Sequence, residues 1–328
     1  MLLGFDIGGT KCAVILGKQN GGPSMDIVDK EMVPTDRPAY EMIEYLFGTG
    51  ESLLQKNGLS PKDITGLGIS CGGPLSSRKG LILSPPNLPG WDNIPIVQLA
   101  ENRFGRQALL QNDANACAMA EWKFGAGRGC DNLIFLTFGT GMGAGLILDG
   151  RLYAGANDFA GEVGHLRLAE MGPVGFGKAG SFEGYCSGGG IAQLAQIMVR
   201  EQLQMGRSVS FCERMEDLPQ LSAKLVAEFA YKGDALAIDI YKTCGEFLGR
   251  GLSVLIDVVN PELIILGSIY GRAKELLEPH MNATIEREAL SHSRAVCRIA
   301  PAQLGENIGD IAALSLAAAV SPVAANVN

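Results

Sequence analysis

The strongest constraint on the fold is a pattern that occurs twice: a short apolar segment, a turn of glycine and threonine, and a second apolar segment. The two copies are Leu2–Ile7, Gly8-Gly9-Thr10 and Lys11–Leu16, and then Asn132–Phe138, residues 139–145 and Leu146–Leu148. Each copy predicts a β-hairpin whose tip exposes backbone N–H groups, and such tips can hold phosphate. A single glycine turn is equally consistent with a tight turn that binds nothing. The repetition predicts two domains of one architecture, each with a phosphate-facing turn.

Two common phosphate-binding fingerprints do not fit these turns. Gly141-Met142-Gly143 does not continue as GxGxxG, and a strand rather than a helix is predicted after it. A dinucleotide site of the Rossmann kind requires that helix, so we exclude it. The sequence also contains no GxxxxGK[ST] motif.

Asp113 is the candidate catalytic residue. It follows Leu109 and Leu110, which predict the end of a buried strand, and it precedes Ala116–Trp122, which predicts a helix. A carboxylate at the carboxyl end of a strand lies where open α/β sheets bind ligands. We therefore expect Asp113 to accept a proton from a substrate hydroxyl. The alternative is that Asp113 only caps the helix, because Asp side chains accept hydrogen bonds from free helical N–H groups.

The composition describes a chain with a large core and an acidic balance. Its 328 residues are 47% hydrophobic and 19% charged, which is enough for two globular domains. The net charge of −8 argues against a general nucleic-acid surface. There is no apolar run long enough to cross a membrane and no signal-peptide pattern, so we expect a cytoplasmic protein without membrane or nucleic-acid partners. The eight cysteines form no CxxC pair, and we expect reduced thiols.

The remaining segments predict alternating strands and helices. The predicted strands are Met25–Val33, Ile64–Ser70, Ala108–Gln111 and Glu262–Leu266, and the predicted helices are Ala39–Gln55, Ile96–Phe104, Ala235–Val258 and Ile308–Val320. The glycine-rich, polar stretch Arg151–Gly190 predicts a loop. This alternation predicts a fold of the α/β class.

Five separated motifs resemble those of the ROK family, which comprises repressors, open reading frames and sugar kinases of the actin-like ATPase superfamily. In chain order they are Asp6-Ile7-Gly8-Gly9-Thr10-Lys11, Pro86-Asn87-Leu88-Pro89-Gly90-Trp91, Asn112-Asp113-Ala114-Asn115, Gly139-Thr140-Gly141-Met142-Gly143 and Gly161-Glu162-Val163-Gly164-His165. The resemblance runs from Leu3 to about Ala318. It implies an α/β fold of two actin-like, ribonuclease H-like lobes with ATP and sugar in a cleft between them. The implied smaller lobe is residues 1–112, completed by a C-terminal helix at about 304–328, and the implied larger lobe is residues 113–303.

The resemblance also implies which residues form the site. It assigns Asp113 as the catalytic base. The positions implied to bind the sugar are Gly73, Asn87, Asn112, Glu162, His165 and Glu183. The positions implied to bind the nucleotide are Asp6, Gly8, Gly9, Thr10, Lys11, Thr137, Gly139, Thr140, Gly141, Gly143 and Gly267.

Sugar phosphorylation fits these residue types. A sugar hydroxyl is a poor nucleophile until a positioned carboxylate accepts its proton. Mg²⁺ and backbone N–H groups spread the charge of the transferred phosphoryl group. Asp6 could hold the Mg²⁺ through water, or it could be a turn partner at the end of a strand. The expected activity is ATP-dependent phosphorylation of a hexose, with the 6-hydroxyl of glucose as the default substrate.

The resemblance leaves two other functions to weigh. A transcriptional repressor of the family is disfavoured because such proteins carry an N-terminal helix-turn-helix, whereas this chain begins with the strand at Leu2. A non-catalytic sugar-binding sensor or regulator is the alternative to the kinase, although the presence of Asp113 and of both glycine turns disfavours it. The resemblance further implies a homodimer.

The chain departs from the family at two places. Many members carry a CxCGxxGCxE zinc motif after the GExGH segment, and alignment on Glu183 puts Val174, Phe176 and Ser181 at its cysteine positions. Valine and phenylalanine cannot ligate zinc, and His165 alone is not a structural zinc site. The turn Gly267-Ser268-Ile269 replaces the family's common GGG.

We predict that the purified protein contains no stoichiometric zinc, because the thiolates that would hold the ion are replaced. Elemental analysis of protein purified without chelators measures this directly. Zinc that co-purifies in stoichiometric amount, or that is retained through dialysis, would contradict the prediction.

Overall fold

The computed structural model describes residues 1–20, 22 and 24–321. In this part of the chain the strands are β1 (Leu2–Ile7), β2 (Lys11–Gln19), β3 (Met25–Pro34), β4 (Gly66–Cys71), β5 (Leu75–Ser76), β6 (Leu81–Ile82), β7 (Ala108–Asn112), β8 (Leu133–Leu136), β9 (Ala144–Leu148), β10 (Arg151–Leu152), β11 (Val174–Gly175), β12 (Lys178–Ala179), β13 (Leu263–Leu266) and β14 (Arg298–Pro301). The α-helices are α1 (Ala39–Lys56), α2 (Ile96–Phe104), α3 (Asp113–Phe124), α4 (Phe182–Tyr185), α5 (Gly188–Gln204), α6 (Ala223–Tyr231), α7 (Ala235–Val259), α8 (Ile269–Glu288), α9 (Ser291–Val296) and α10 (Ile308–Ala319). Short 3₁₀ helices lie at Pro61–Asp63, Val163–His165, Met215–Gln220 and Gly305–Asn307.

The chain forms two compact units. Unit 1 comprises Met1–Cys130, Gly145–Ala160 and Gln303–Asn328, and unit 2 comprises Asp131–Ala144 and Gly161–Ala302. The described residues form two five-stranded sheets, and each sheet combines an antiparallel hairpin with parallel strands. The predicted α/β class is confirmed. The predicted lobe boundaries at residues 112/113 and 303/304 stay predictions, and residues 322–328 of the predicted C-terminal helix lie outside the described residues.

The sheet of unit 1 has the strand order β3-β2-β1-β4-β7. β1 and β2 are antiparallel and close at the pair Ile7–Cys12, while β4 and β7 run parallel to β1. The carboxyl ends of these three parallel strands, at Ile7, Cys71 and Asn112, therefore lie side by side. That edge of a sheet is where open α/β folds bind ligands.

Helix α10 packs directly on the backbone of this sheet because the strands present glycines to it. A Cβ on Gly68 would lie 2.6 Å from the backbone nitrogen of Ala317 and still closer to the carbonyl oxygen of Ala313. Gly4 leaves room in the same way for the methyl group of Ala313. Gly66 lies under the next turn of the same helix. The small residues on both surfaces allow an approach that larger side chains would prevent.

The other face of the sheet of unit 1 carries a hydrophobic core. Neighbouring strand residues point to opposite faces, so Phe5 lies on the side away from Gly4. Its ring packs against Phe47 of α1 and Phe104 of α2, with centroids 5.5 and 6.0 Å away. These three aromatic side chains hold both helices against the strands.

The parallel part of unit 2 consists of β8, β13 and β14. Leu266 of β13 lies beside Leu136 of β8 and Pro301 of β14. All four residues of β13 are buried, as is usual for a central parallel strand. Helices α7 and α8 approach closely at Gly249, where a Cβ would lie 2.6 Å from the carbonyl oxygen of Met281.

The structure confirms both predicted hairpins. β1 and β2 flank Gly8–Thr10, and the second glycine turn lies between β8 and β9, although β8 ends at Leu136 rather than at Phe138. Helix α1, helix α2 and the long helix α7 lie at their predicted positions within one or two residues. No helix in the described ranges is long and apolar enough to span a bilayer.

The prediction that Arg151–Gly190 is a loop is wrong in part. This stretch contains β10, the β11–β12 hairpin, α4 and the start of α5. Helix α5 begins with Gly188-Gly189-Gly190. Because glycine has a low helix propensity, the sequence does not predict a helix at these residues. It begins there because the hydroxyl of Ser187 accepts a hydrogen bond from the N–H of Gly190 at 2.9 Å. Gly190 also packs against the carbonyl oxygen of Gly184, where no side chain fits.

We predict that Gly68→Ala lowers the free energy of unfolding by at least about 2 kcal/mol, because the new methyl group would force α10 off the sheet. Chemical denaturation of the protein, followed by fluorescence or circular dichroism, measures the effect. Gly48→Ala on α1 is the matched control, since a Cβ there meets nothing within 4 Å. It should be neutral or stabilise by up to about 1 kcal/mol through helix propensity. Equal effects of the two substitutions would contradict the proposed packing role.

Candidate functional site

Asn112 caps helix α3, so the alternative that Asp113 serves only as the helix cap is wrong. The side-chain oxygen of Asn112 accepts a hydrogen bond from the N–H of Asn115 at 2.9 Å. Asp113 is the first helical residue, and its Oδ1 accepts from the N–H of Ala114 at 2.8 Å. The capping function rests on Asn112, and the second oxygen of Asp113 is left for other contacts.

A cavity of about 420 Å³ in unit 1 gathers many of the predicted site residues. Its lining includes Asp6, Gly8, Gly9, Thr10, Lys11, Asn87 and Asp113. The first β-hairpin brings the glycine turn there, and the ends of β1 and β7 bring the two carboxylates. Gly73 and Asn112 do not line this cavity, although Gly73 lies next to the side-chain amide of Asn112.

The turn at Gly8–Thr10 and the loop at Asn87 are packed together. A Cβ on Gly9 would lie 2.8 Å from the Cβ of Asn87 and closer still to its carbonyl oxygen. The side-chain amide of Asn87 in turn lies next to Gly72 at the end of β4. The hydroxyl of Thr35 donates to the carbonyl oxygen of Gly8 at 2.7 Å, which holds the turn from its other side. Only glycine permits these approaches, which explains the two glycines of the turn.

Three carboxylates interact around the cavity, and the sequence identified only two of them. Burial, together with the negative charges of Asp113 and Asp310, raises the pKa of Asp6 to about 6. Asp310 lies on the first turn of α10 and forms an ion pair with Lys30. The distance from Nζ of Lys30 to Oδ2 of Asp310 is 2.7 Å. Burial also raises the pKa of Asp113, although its bond from Ala114 lowers it. Asp113 is therefore a stronger proton acceptor than a solvated aspartate.

The acidic groups of this cavity fit a hydrated Mg²⁺ ion. Mg²⁺ takes oxygen ligands and usually keeps several waters while it binds one or two carboxylates and the substrate phosphates. Its charge would also offset the mutual repulsion of Asp6, Asp113 and Asp310. Within the described ranges no three His, Cys, Asp or Glu side chains are grouped to hold a metal ion by themselves. The ion would therefore be held largely by water and nucleotide.

The second glycine turn is braced by side chains of unit 2. The N–H of Gly143 donates to Oγ1 of Thr137 at 2.8 Å, and the N–H of Met142 donates to Oε2 of Glu183 at 3.0 Å. The N–H of Gly188 at the start of α5 donates to the carbonyl oxygen of Gly139 at 2.8 Å. The predicted nucleotide residues Thr137, Gly139, Thr140, Gly141 and Gly143 thus belong to one fixed turn.

A cavity of about 690 Å³ lies beside this turn in unit 2, and its volume is in the range of small-molecule sites. Gly139 and Thr140 line it, together with residues at the N-terminal ends of three helices. Those helix ends are Gly188 and Gly189 of α5, Ser222 and Ala223 of α6, and Ile269 of α8. Helix N-termini favour anions because their first N–H groups are unpaired.

Sequence reasoning missed the cationic groups of this second cavity. Arg272 and Lys224 line it, and the guanidinium of Arg272 donates to the hydroxyl of Ser268 at 3.0 Å. Ser268 has a left-handed backbone with φ of 47°, a conformation that the glycine of the family's common turn adopts more easily. The predicted residue Gly267 lies buried under this turn and does not line the cavity.

The remaining predicted sugar residues, Glu162 and His165, lie on a short 3₁₀ segment of unit 2 and line neither cavity. Both side chains are exposed. The β11–β12 hairpin holds this segment: Nζ of Lys178 donates to the carbonyl oxygen of His165 at 2.6 Å. The ring of Phe176 stands edge-on to the ring of His165, with centroids 6.1 Å apart. Phe176 lies at one of the positions aligned above with the cysteines of the zinc motif that many family members carry.

Asp310 and Lys30 were the other residues that the sequence did not reveal as part of the site. Asp310 is almost completely buried in a helix that is rich in alanine and has no other charged residue. A single acid in such a helix is a usable signal, because a buried carboxylate requires a partner. Its proximity to Asp6, more than three hundred residues earlier, could not be read from local patterns.

Comparison with known proteins agrees with this architecture. The profile of the ROK family matches residues 2–320, and the chain therefore belongs to the ROK family. The glucokinase of Thermotoga maritima is 30% identical over 278 residues, which cover 84% of each chain. The crystal structure of a ROK family glucokinase from Streptomyces griseus in complex with glucose and AMPPNP superimposes with a TM-score of 0.73 at 28% identity, covering 96% of this chain and 98% of that one.

The family also contains regulators. The xylose repressor of Caldicellulosiruptor bescii is 28% identical over 268 residues, which cover 81% of this chain and 65% of the repressor. Membership in the family therefore establishes the actin-like fold of its sugar kinases, and it leaves the choice between catalysis and regulation to the site itself.

We predict that Asp6→Asn stabilises the metal-free protein above pH 6. A raised pKa means that ionised Asp6 costs folding free energy, and this cost is absent below about pH 4 and complete above about pH 6. The gain should be about 1–3 kcal/mol at pH 7.5 and should vanish at pH 4. Thermal unfolding at both pH values measures it.

Asp29→Asn is the matched control with the opposite sign. Hydrogen bonds from Lys56 and Asn57 lower the pKa of Asp29, so the ionised form of this residue stabilises the fold. Asp29→Asn should lower the stability at pH 7.5. A gain for Asp6→Asn that is the same at pH 4 and pH 7.5 would show that relief of charge is not its cause.

Proposed function

We propose that this protein is an ATP-dependent sugar kinase that phosphorylates a hydroxyl of a hexose or hexose derivative, with Asp113 as the general base. The observation that carries the proposal is the position of Asp113. Its carboxylate lines the cavity that contains the glycine turn of the first hairpin, and burial raises its pKa. A non-catalytic binding site gains nothing from a carboxylate with raised proton affinity, whereas proton transfer from a sugar hydroxyl requires a proton acceptor.

Each unit, taken by itself, has polar groups that we propose as sugar contacts. On unit 1, Asn87 and Asn112 present side-chain amides near Asp113. On unit 2, Glu162, His165 and Glu183 supply acceptors and a ring nitrogen. Amides and carboxylates accept and donate the several hydrogen bonds that a polyol requires. Glucose is the first substrate to test, because the glucokinase of Streptomyces griseus binds it.

The proposed nucleotide site is the cavity of unit 2. Its three helix N-termini, Arg272 and Lys224 favour the phosphates, and the turn at Gly139–Gly143 supplies backbone N–H groups. On unit 1, the turn at Gly8–Lys11 is proposed to contact the transferred phosphoryl group. Mg²⁺, when bound with the nucleotide, neutralises phosphate charge. Asp6 would contact its water shell.

A non-catalytic sugar sensor is the second candidate, favoured by the similarity to the xylose repressor. Such a protein would bind the sugar without hydrolysing or transferring phosphate. The two candidates separate in one measurement, the release of ADP in the presence of sugar, since only the kinase produces it.

We predict that Asp113→Asn lowers kcat by ~10²–10⁴-fold, because the amide cannot accept the hydroxyl proton. A coupled ADP-release assay over glucose, N-acetylmannosamine, N-acetylglucosamine, fructose, allose and a β-glucoside identifies the substrate and then measures the loss. The affinity for the sugar should change much less than kcat, since the amide preserves shape and hydrogen bonding.

Asp36→Asn is the control for this experiment, because Asp36 is an exposed aspartate of unit 1 paired only with Arg37 among the described residues. It should retain full turnover. A wild-type protein that binds a hexose without releasing ADP would favour the sensor, and an active Asp113→Asn enzyme would refute the assignment of the base.

A further inference from the structure

Glu183 contacts the second glycine turn with the same carboxylate that is proposed to bind sugar. Its Oε2 accepts the N–H of Met142 at 3.0 Å, and a Cβ on Gly141 would lie 2.9 Å from that oxygen. The carboxylate therefore lies directly on the middle of the turn. Its negative charge occupies a backbone donor of the kind that phosphate groups use.

The other N–H groups of the turn are divided between internal bonds and open donors. Gly139 donates to the carbonyl oxygen of Gly141, and Gly143 donates to Oγ1 of Thr137. The N–H groups of Thr140 and Gly141 have no hydrogen-bond partner among the residues that the structure describes. Met142 would be the third donor of a continuous row, and Glu183 takes it.

The backbone around Glu183 places this side chain between the two proposed subsites of unit 2. Ser181 caps the short helix α4 by accepting from the N–H of Gly184 at 3.1 Å, which fixes the position of Glu183. A Cβ on Gly164, in the segment that carries Glu162 and His165, would lie 3.2 Å from the Cβ of Glu183. The stem of Glu183 thus packs on the proposed sugar segment, while its carboxylate reaches the phosphate turn.

These contacts create a competition for one carboxylate. A nucleotide phosphate at the turn would be repelled by the charge of Glu183, and it could not accept from Met142 while Glu183 does. A sugar hydroxyl that donates to Glu183 would draw the carboxylate away from the turn and free the N–H of Met142. The sugar and the nucleotide phosphate would then support each other's binding, as thermodynamic linkage requires.

We propose that Glu183 is a positioning residue that makes tight nucleotide binding depend on bound sugar. This proposal rests on the proposed function, because it takes Glu183 as a sugar contact and the turn as a phosphate contact. Without sugar, Glu183 holds the N–H of Met142 and disfavours phosphate. With sugar, the turn presents Thr140, Gly141 and Met142 as consecutive donors.

Calorimetric titration with AMPPNP and Mg²⁺, with and without saturating sugar, tests the proposal. The sugar is the one that gives the highest turnover, or glucose where there is no turnover. In the wild type, sugar should tighten AMPPNP binding by about tenfold, within the usual range of coupling between sites. In Glu183→Gln and Glu183→Ala, AMPPNP should bind about tenfold more tightly than to the wild type without sugar, and the effect of sugar on AMPPNP affinity should disappear.

Glu201→Gln is the matched control, since Glu201 is an exposed glutamate on α5 of the same unit. It should retain the coupling of the wild type. Glu183→Gln is nearly isosteric with the wild type, so it keeps the test available even where Glu183→Ala does not fold. Thermal unfolding of each variant establishes that the titrated protein is folded.

Two results would overturn the proposal. Weaker AMPPNP binding in both Glu183 variants without sugar would show that Glu183 only supports the shape of the turn. An unchanged effect of sugar in both variants would show that coupling does not pass through Glu183. A failure of the proposed function is distinguishable from both, because it would appear in the wild type as absence of ADP release.

Discussion

The close contact between helix α10 and the glycines of β1 and β4 is the constraint on which unit 1 depends. Gly4, Gly66 and Gly68 leave the backbone of the sheet bare, and the alanine-rich surface of α10 fills that space. A helix at this distance gains dispersion contacts along its whole length. The same contact carries Asp310 to the edge of the sheet where β1, β4 and β7 end, beside Asp6.

Electrostatics at this edge then follow from the packing. Asp6, Asp113 and Asp310 line one cavity together with Lys11 and Lys30, and Lys30 is paired with Asp310. Burial raises the pKa of Asp6, and the negative charges of Asp113 and Asp310 add to this shift. Asn112 also contributes to this site, because its side chain caps α3. The carboxylate of Asp113 is therefore not needed as the cap of the helix. The result is a cavity that presents a proton acceptor, Asp113, beside two further carboxylates.

Local patterns were sufficient to predict the parts of this site that lie on one segment. The two hairpins, their glycine turns and the strand-to-helix junction at Asp113 each follow from the order of apolar, glycine and polar residues. The contribution of Asp310 could not be predicted, because it depends on a helix that packs on strands far away in sequence. The cap at Asn112 and the bond from Met142 to Glu183 also escaped prediction. The sequence offers several oxygens near each of these N–H donors. Which oxygen accepts the hydrogen bond depends on the conformation of the folded backbone.

The contact between α10 and the glycines of β1 and β4 joins distant parts of the chain, so it can form only late in synthesis of the protein. Strands β1 and β4 leave the ribosome long before α10 does, because about two hundred and forty residues separate Gly68 from the start of that helix. At a translation rate of roughly 5–20 residues per second, the glycine surface of the sheet stays uncovered for roughly 10–50 s. During that interval α1 and α2 are available to cover one face of the sheet, whereas the glycine face has no α10 to cover it. The glycine face of this sheet therefore acquires its helix only after the segments of unit 2 have been synthesised.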